Sequence, residues 1–385
     1  MSKKIENYIL FIFLILIIYC AFSIGVSWDL GMEIERGNQR LKYIFFQNSF
    51  EEYKLASRNI GDKFYPAFYT TIASFIAKMF PKNYESQIWH LTNSLISVLT
   101  LFGIYRITNI FFNKKVAKIV FLLCVLNPIF FGHMAMNSKD TIAAFANVWS
   151  TYLFLRYIQN QHIKEKCNNY ILLSGFVIGI GTGMRIPFIV TLMPLFLFVI
   201  IDMFYFKKIV NKFFSIKKFF FHLLIVLSIS YLVTVSLWPH VHSNILTEPF
   251  KIALEASSNN LLFGLPIVLL NGTFISSEEL PSYYILMSFL FKSPEFIIIC
   301  YILFLSLIII NKNTFFEFKY FYTKLFLIIF IFLFPSILLL FFPYKIYDGL
   351  RLFLYLIPYF NIIPALVLYK LIYKYQNFIS KIILL

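Results

Sequence analysis

Charge is scarce in this chain. Only 14% of its 385 residues are Asp, Glu, Lys or Arg, where a soluble domain carries about 25%. Hydrophobic residues make up 60%. A soluble core of this length has no room for so much apolar surface, which excludes an ordinary soluble enzyme and points to a bilayer. Cysteine is scarce too. There are four, with no CxxC pair and no metal-ligand spacing. Cys20, Cys124 and Cys300 lie inside apolar runs and Cys167 in a polar connector, so they read as small hydrophobes rather than redox groups. No internal repeat is visible, which argues against an inverted-repeat transporter. Acids are few, 18 against 34 Lys and Arg, for a net charge of +16. That excess suits nucleic acid or anionic lipid. The basic residues are scattered between apolar runs and form no aromatic-interleaved stripe, so nucleic acid is excluded.

What is present is a series of long apolar runs. About 20 apolar residues cross the hydrocarbon core, and runs of that order recur near 6–25, 88–111, 115–132, 141–158, 170–184, 186–205, 219–238, 283–310, 324–342 and 351–374. Met184-Arg185-Ile186-Pro187 either divides two of them or kinks one long element. Lys3 and Lys4 precede an apolar stretch over 8–26, too long for a cleaved signal core, so an uncleaved first helix is expected.

With those lysines in the cytoplasm and the spans alternating, the short inner connectors carry Lys114, Lys115 and Lys118; Arg156, Lys164 and Lys166; Lys207, Lys208, Lys212, Lys217 and Lys218; and Lys312 and Lys319. The short outer loops are nearly bare of Lys and Arg, as the positive-inside rule requires. The expectation is an all-α polytopic membrane protein of about ten transmembrane helices. It forms a single domain over 1–385 with no separate soluble domain, and both termini are cytoplasmic. Two outer segments are long, 27–87 and 239–282. The first holds an amphipathic stretch at 65–79 suited to a helix lying in the interface. The second holds 261–270, half a membrane span, then the turn signal Asn271-Gly272, expected as a re-entrant or interfacial element.

This topology gathers the unusual polar residues on the extracytoplasmic face. They are Asp29; Lys139 and Asp140; Arg185; His240 and His242; Tyr283, Tyr284 and Lys292; and Asp348 and Arg351. Ionisable groups at a membrane boundary are costly and are functional candidates. Each also has a plainer reading. Asp29 suits a boundary carboxylate, and Asp140 a helix cap. Asp348 and Arg351, three apart, suit a local ion pair. Arg185 suits snorkelling to lipid phosphates, and the tyrosines an aromatic belt. His240 and His242 hint at a metal pair, but no third ligand accompanies them, so no metal is expected.

Taken together, a carboxylate and several cations at a membrane surface suit sugar transfer from a lipid phosphate. A base removes the acceptor's hydroxyl proton, and cations stabilise the departing phosphate. Lys and Arg supply that charge without a metal or other cofactor. The competing class, a transporter or flippase of a lipid-linked sugar, calls for charges near the midplane and on both sides.

The order of segments resembles the GT-C glycosyltransferases of the protein O-mannosyltransferase and aminoarabinose-transferase (ArnT-like) type. The resemblance is carried by Ser27-Trp28-Asp29 with Gly37, by Asn127-Pro128-Ile129-Phe130-Phe131-Gly132-His133 followed by Asn137-Ser138-Lys139-Asp140, and by Met184-Arg185 and Trp238-Pro239. It continues through Gly272, Leu280-Pro281-Ser282-Tyr283-Tyr284, Lys292-Ser293-Pro294 and Tyr347-Asp348-Gly349-Leu350-Arg351. It implies a GT-C-type fold with interfacial helices in the first long outer loop. It also implies a polyprenyl-phosphate sugar donor, an acceptor that is a lipid, glycan or protein, and a bacterial inner-membrane setting. Asp29 matches the family's essential acid. Lys139, Arg185 and Arg351 are then the donor-phosphate residues, with Asp140, His133, His240, Tyr283, Tyr284 and Asp348 in support. The family often has Asp-Glu at the first position, whereas here Leu30 follows Asp29 and the next acids are Glu33 and Glu35.

Overall fold

The computed structural model describes residues 3–46, 49–56, 60–66, 68–258, 267–342, 344–346 and 349–373. In chain order the helices are α1 (Lys3–Ser23), α2 (Trp28–Phe45), α3 (Phe50–Ala56), α4 (Phe68–Lys78), α5 (Glu85–Phe111), α6 (Lys114–Val125), α7 (Pro128–Met136), α8 (Ser138–Asn160) and α9 (Lys164–Thr182). They continue with α10 (Met193–Ile201), α11 (Ile216–Ser236), α12 (Glu248–Ser258), α13 (Tyr284–Lys292), α14 (Glu295–Ile310), α15 (Phe321–Phe341), α16 (Ile357–Phe360) and α17 (Ile362–Tyr373). Short 3-10 segments link several of these, among them Ile186–Leu192 and Arg351–Leu356.

Each of the ten apolar runs holds helix. By length and composition, however, five continuous stretches among the described residues suffice to cross a membrane: Lys82–Phe111, Ile186–Phe206, Ile216–Ser236, Phe321–Phe341 and Arg351–Tyr373. Two bent pairs bring the number to seven, α6 with α7 at 66° and α13 with α14 at 115°. Both bends have a proline cause. Asn127 caps α7, its Oδ1 accepting from the N–H of Ile129 and Phe130 at 3.1 and 3.0 Å, and Pro128 has no N–H to continue the ladder from α6. Before Pro294, Ser293 is held extended at φ −87, ψ 144, as a residue ahead of proline prefers.

Helix α8 falls short of the apolar criterion because it is wrapped by neighbours. Asn147, Ser150 and Thr151 are buried, and the Tyr359 hydroxyl lies 2.9 Å from Asn147 Oδ1 and 2.7 Å from Thr151 Oγ1. Such polar contacts join helices where lipid offers no partner.

The first long segment is built around α2 and α4. Residues 68–78 form the helix expected within 65–79, and it packs its small face on α2, with Thr70, Ala73 and Ser74 buried. Gly37 permits this approach, since a Cβ there would stand 2.3 Å from Ser74 Oγ and 2.6 Å from the Thr70 carbonyl oxygen.

The second long segment, where a re-entrant or interfacial element was expected over 261–270, corrects the expectation of an all-α chain. Residues 261–266 lie outside the described residues, and the remainder is a strand. β1 (Ile267–Leu270) pairs antiparallel with β2 (Thr273–Ser276), Leu270 opposite Thr273. Asn271 at φ 51 and Gly272 at φ 82 form the turn, the left-handed pair that a two-residue hairpin needs. Burial alternates along β1, Val268 and Leu270 in, Ile267 and Leu269 out, a period of two that no helix presents.

Candidate active site

The site forms where the first turn of α2, the first turn of α8, the turn at Arg185 and the start of the last span meet. Asp140 is its anchor, 2% exposed. Its Oδ1 faces Arg185 Nη1 at 3.0 Å, and its Oδ2 accepts from Arg351 Nε at 3.1 Å and from Asn137 Nδ2 at 2.6 Å. Arg351 uses its other arm, Nη2, to bind Asp29 Oδ2. One guanidinium from late in the chain thus bridges two carboxylates from its earlier part.

A second row adjoins the first. Lys139 Nζ lies 2.9 Å from Glu33 Oε1 and 4.5 Å from the centre of the Tyr65 ring. Arg36 pairs with the same Glu33 oxygen at 3.1 Å and with Asp62 Oδ1 at 2.5 Å. Arg40, 1% exposed, donates to Thr70 Oγ1 and to the carbonyls of Asp62 and Tyr65 at 3.0, 3.2 and 2.9 Å. Five cations (Arg36, Arg40, Lys139, Arg185, Arg351) face four carboxylates (Asp29, Glu33, Asp62, Asp140). Among the described residues of these pairs the excess is one positive charge, in a largely desolvated site where charge acts strongly.

These surroundings fix the state of two acids. Partial burial alone would raise the Asp29 pKa, but the hydrogen bond and charge of Arg351, with Lys139 and Arg185 behind, outweigh it and hold the carboxyl below its ordinary value. Glu33 is buried more deeply, and again burial is overcome, here by Lys139 and Arg36. Both are carboxylates at neutral pH.

Of the residues read from the sequence, Asp29, Asp140, Arg185 and Arg351 come together directly, and Lys139 joins through the adjoining row. His133 lines a cavity beside Arg351. His240 sits elsewhere, edge-on to Tyr53 at 5.2 Å. Burial, with Arg40 and Lys63 nearby, pushes its pKa down to about 4, so the ring is neutral at neutral pH. Tyr284 is 2% exposed within the apolar core, while Tyr283 is 52% exposed. Asp348 lies outside the described residues, and its pairing with Arg351 with it.

Sequence reading missed Glu33, Arg36, Arg40 and Asp62. The first three were signalled: with Asp29 they recur at intervals of four, three and four residues, the spacing of one helical face. Among the described residues, no three His, Cys, Asp or Glu side chains gather as a metal site.

Comparison with known proteins bears on the fold. Residues 66–238 match the family described as dolichyl-phosphate-mannose-protein mannosyltransferase. The crystal structure of ArnT from Cupriavidus metallidurans bound to undecaprenyl phosphate is similar, with a TM-score of 0.65 at 9% identity over 95% of this chain and 60% of that one. The apo form of the same ArnT gives 0.59 at 11% identity over the same shares. The apo oligosaccharyltransferase of Archaeoglobus fulgidus gives 0.48 at 10% identity, covering 92% of this chain and 52% of that one. This chain therefore spans about 60% of the length of the ArnT structures it matches. Comparison with curated protein sequences finds no match. The resemblance to the ArnT and mannosyltransferase superfamily read from sequence is borne out, and the fold is ArnT-like.

Proposed function

We propose that this integral membrane protein, a chain of GT-C fold in the ArnT and mannosyltransferase superfamily, is a glycosyltransferase that moves a sugar from a polyprenyl-phosphate donor to an acceptor hydroxyl on the extracytoplasmic side. The observation that carries this reading is the Asp29 carboxylate, bound by Arg351 and linked through Asp140 to Arg185.

The step is a displacement at the sugar's anomeric carbon, with inversion. The acceptor oxygen forms a bond to that carbon as the bond to the phosphate oxygen breaks. The hydroxyl proton goes to Asp29, and the polyprenyl phosphate leaves with the electron pair. Lys139, Arg185 and Arg351 supply the positive field that stabilises this leaving group, and no metal is needed for it. Asp140 holds both arginines, so the field is set before substrate arrives. The relative bound to undecaprenyl phosphate has the same fold, which supports a polyprenyl-phosphate donor here.

The test is purified protein in liposomes with a polyprenyl-phosphate sugar, scoring transfer and translocation separately. Transfer to a hydroxyl acceptor is expected. Translocation of intact donor without transfer would replace the enzyme with a flippase.

Ten spans with both termini in the cytoplasm are part of the same proposal, supported by helix in every apolar run and by the lysine-rich segment 207–218. Reporter fusions within 207–218 are expected to read cytoplasmic, and those within 239–282 outside. The opposite pattern would put the site on the wrong side of the membrane.

A further inference from the structure

Helix α5 carries a stripe of exposed side chains: Leu95, Leu99 and Phe102, all apolar, and then Arg106. Their spacing is that of one helical face. The helix is long and apolar enough to span a membrane, so an exposed apolar face on it suits lipid contact. That face ends on a charge, near the α5 C-terminus at Phe111.

The guanidinium is framed by two rings of α8. Its Cζ lies 5.9 Å from the centre of the Trp149 ring and 5.7 Å from that of Tyr152. Nη1 donates to the Tyr152 hydroxyl at 3.3 Å. The rings stand edge to face with centres 5.5 Å apart. The indole is itself fixed, since Nε1 donates to the Leu99 carbonyl oxygen at 2.9 Å. Gly103 makes room for it: a Cβ there would stand 2.7 Å from Val148 Cγ1 and 3.1 Å from Trp149 Nε1. An arginine that only snorkels toward water needs no such frame.

No carboxylate balances this charge. Among the described residues Arg106 has no ion pair and Tyr152 is its one hydrogen-bond partner. Arg156 follows Tyr152 by one turn on the same face of α8. Its Nε is buried without a partner among the described residues. The acids of these two helices, Glu85 and Asp140, stand in their first turns. Between Asp140 and Tyr152 run about 18 Å of helix, at 1.5 Å per residue. The arginines therefore lie toward the membrane surface away from the candidate active site.

One ligand suits such a corner. A phosphodiester can take the open edge of Arg106 as a fork, while the rings hold the cation in place. Leu95, Leu99 and Phe102 offer an acyl chain its surface. We infer that Arg106, framed by Trp149 and Tyr152, seats the phosphate of an anionic bilayer phospholipid in the leaflet away from the active site. Basic pockets between spanning helices take such head groups. A soluble phosphate gains the charge but not the apolar stripe, and a zwitterionic lipid brings a cation of its own. The inference stands apart from the sugar-transfer reading and needs only a chain that lies in a bilayer.

The experiment titrates the full chain, in a neutral detergent, with phosphatidylglycerol or phosphatidylcholine and counts retained lipid by native mass spectrometry. The unaltered protein is expected to retain phosphatidylglycerol at the lower concentration. Arg106→Ala is expected to weaken that retention about 5–20-fold, the effect of losing one charge-assisted contact at a membrane surface, and to erase the preference. Arg106→Lys keeps the charge without the fork and is expected to fall between. Trp149→Leu, with Arg106 in place, is expected to weaken retention too. Unchanged retention and preference in Arg106→Ala overturn the inference. So does an equal loss of both lipids, which would make Arg106 a packing residue. Displacement of the lipid by an equal concentration of soluble glycerol phosphate overturns the assignment to a bilayer phospholipid.

Discussion

Asp29→Asn is expected to slow sugar transfer by about 10²–10⁴-fold, the usual cost of losing a positioned base, while donor binding survives. The substitution nearly preserves shape and removes the proton acceptor. The phosphate-facing cations are not altered by it. Asp29 is a weak base as it stands, because Arg351 and its neighbours hold its pKa below the ordinary 3.8. A phosphate drawn to Arg351 competes for the same guanidinium and returns basicity to Asp29 as the donor seats.

The pH dependence follows from the direction of that shift. A carboxylate whose pKa is depressed by folding contributes its ion pair at pH values above the unfolded pKa and loses it as pH falls through the folded one. Transfer at sub-saturating donor, which reports the state of the free protein, is therefore expected to persist through mildly acid pH and to fail only below the ordinary aspartate range. Single-turnover transfer and donor titration on the same preparation separate the two effects. Asp29→Asn turning over at the full rate would remove it from the role of base.

The second large effect concerns the buried row. Glu33→Gln is expected to destabilise the protein by about 3–5 kcal/mol, the cost of breaking a buried ion pair from one side. Glu33 serves both Lys139 and Arg36, so its loss takes the carboxylate partner from Lys139 and leaves Arg36 with Asp62. Pairing it with Lys139→Met is expected to recover much of the loss, because removing both members of a buried pair is often close to neutral. Thermal unfolding in detergent reads this. If the single variant melts with the unaltered protein, Glu33 is not holding the row together. The double variant then reports on function: a folded protein that still binds donor but transfers slowly assigns Lys139 to the field around the phosphate.

Much of this architecture was legible in the sequence, and the reasons are specific. Apolar runs located the helices, because the bilayer constrains their length so tightly. Asp29, Asp140, Arg185 and Arg351 stood out because a charge beside an apolar run is expensive. What they bind was not legible. Asp29 and Arg351 are 322 positions apart, and only the packing of the first and last parts of the chain makes them partners. The local pair suggested for Arg351, with Asp348 three residues away, gave no hint of that reach. The buried row was missed for the opposite reason: Glu33, Arg36 and Arg40 look like an ordinary solvated helix face, and only the cover provided by α4 and residues 60–66 makes them interior. The strand at 267–270 was not foreseen because a short apolar run has no decisive period until its partner strand is known.

The bridge from Arg351 to Asp29 and Asp140 also sets an order of assembly. Synthesis proceeds from the N-terminus, so α2 and α8 are made long before the last span exists. Until that span arrives, Asp140 has Arg185 as its cationic partner and Asp29 lacks Arg351. The charge lattice closes only when the segment that begins at Arg351 docks. A nascent chain stalled before residue 351 has the earlier elements of the site and not the guanidinium that ties Asp29 to Asp140.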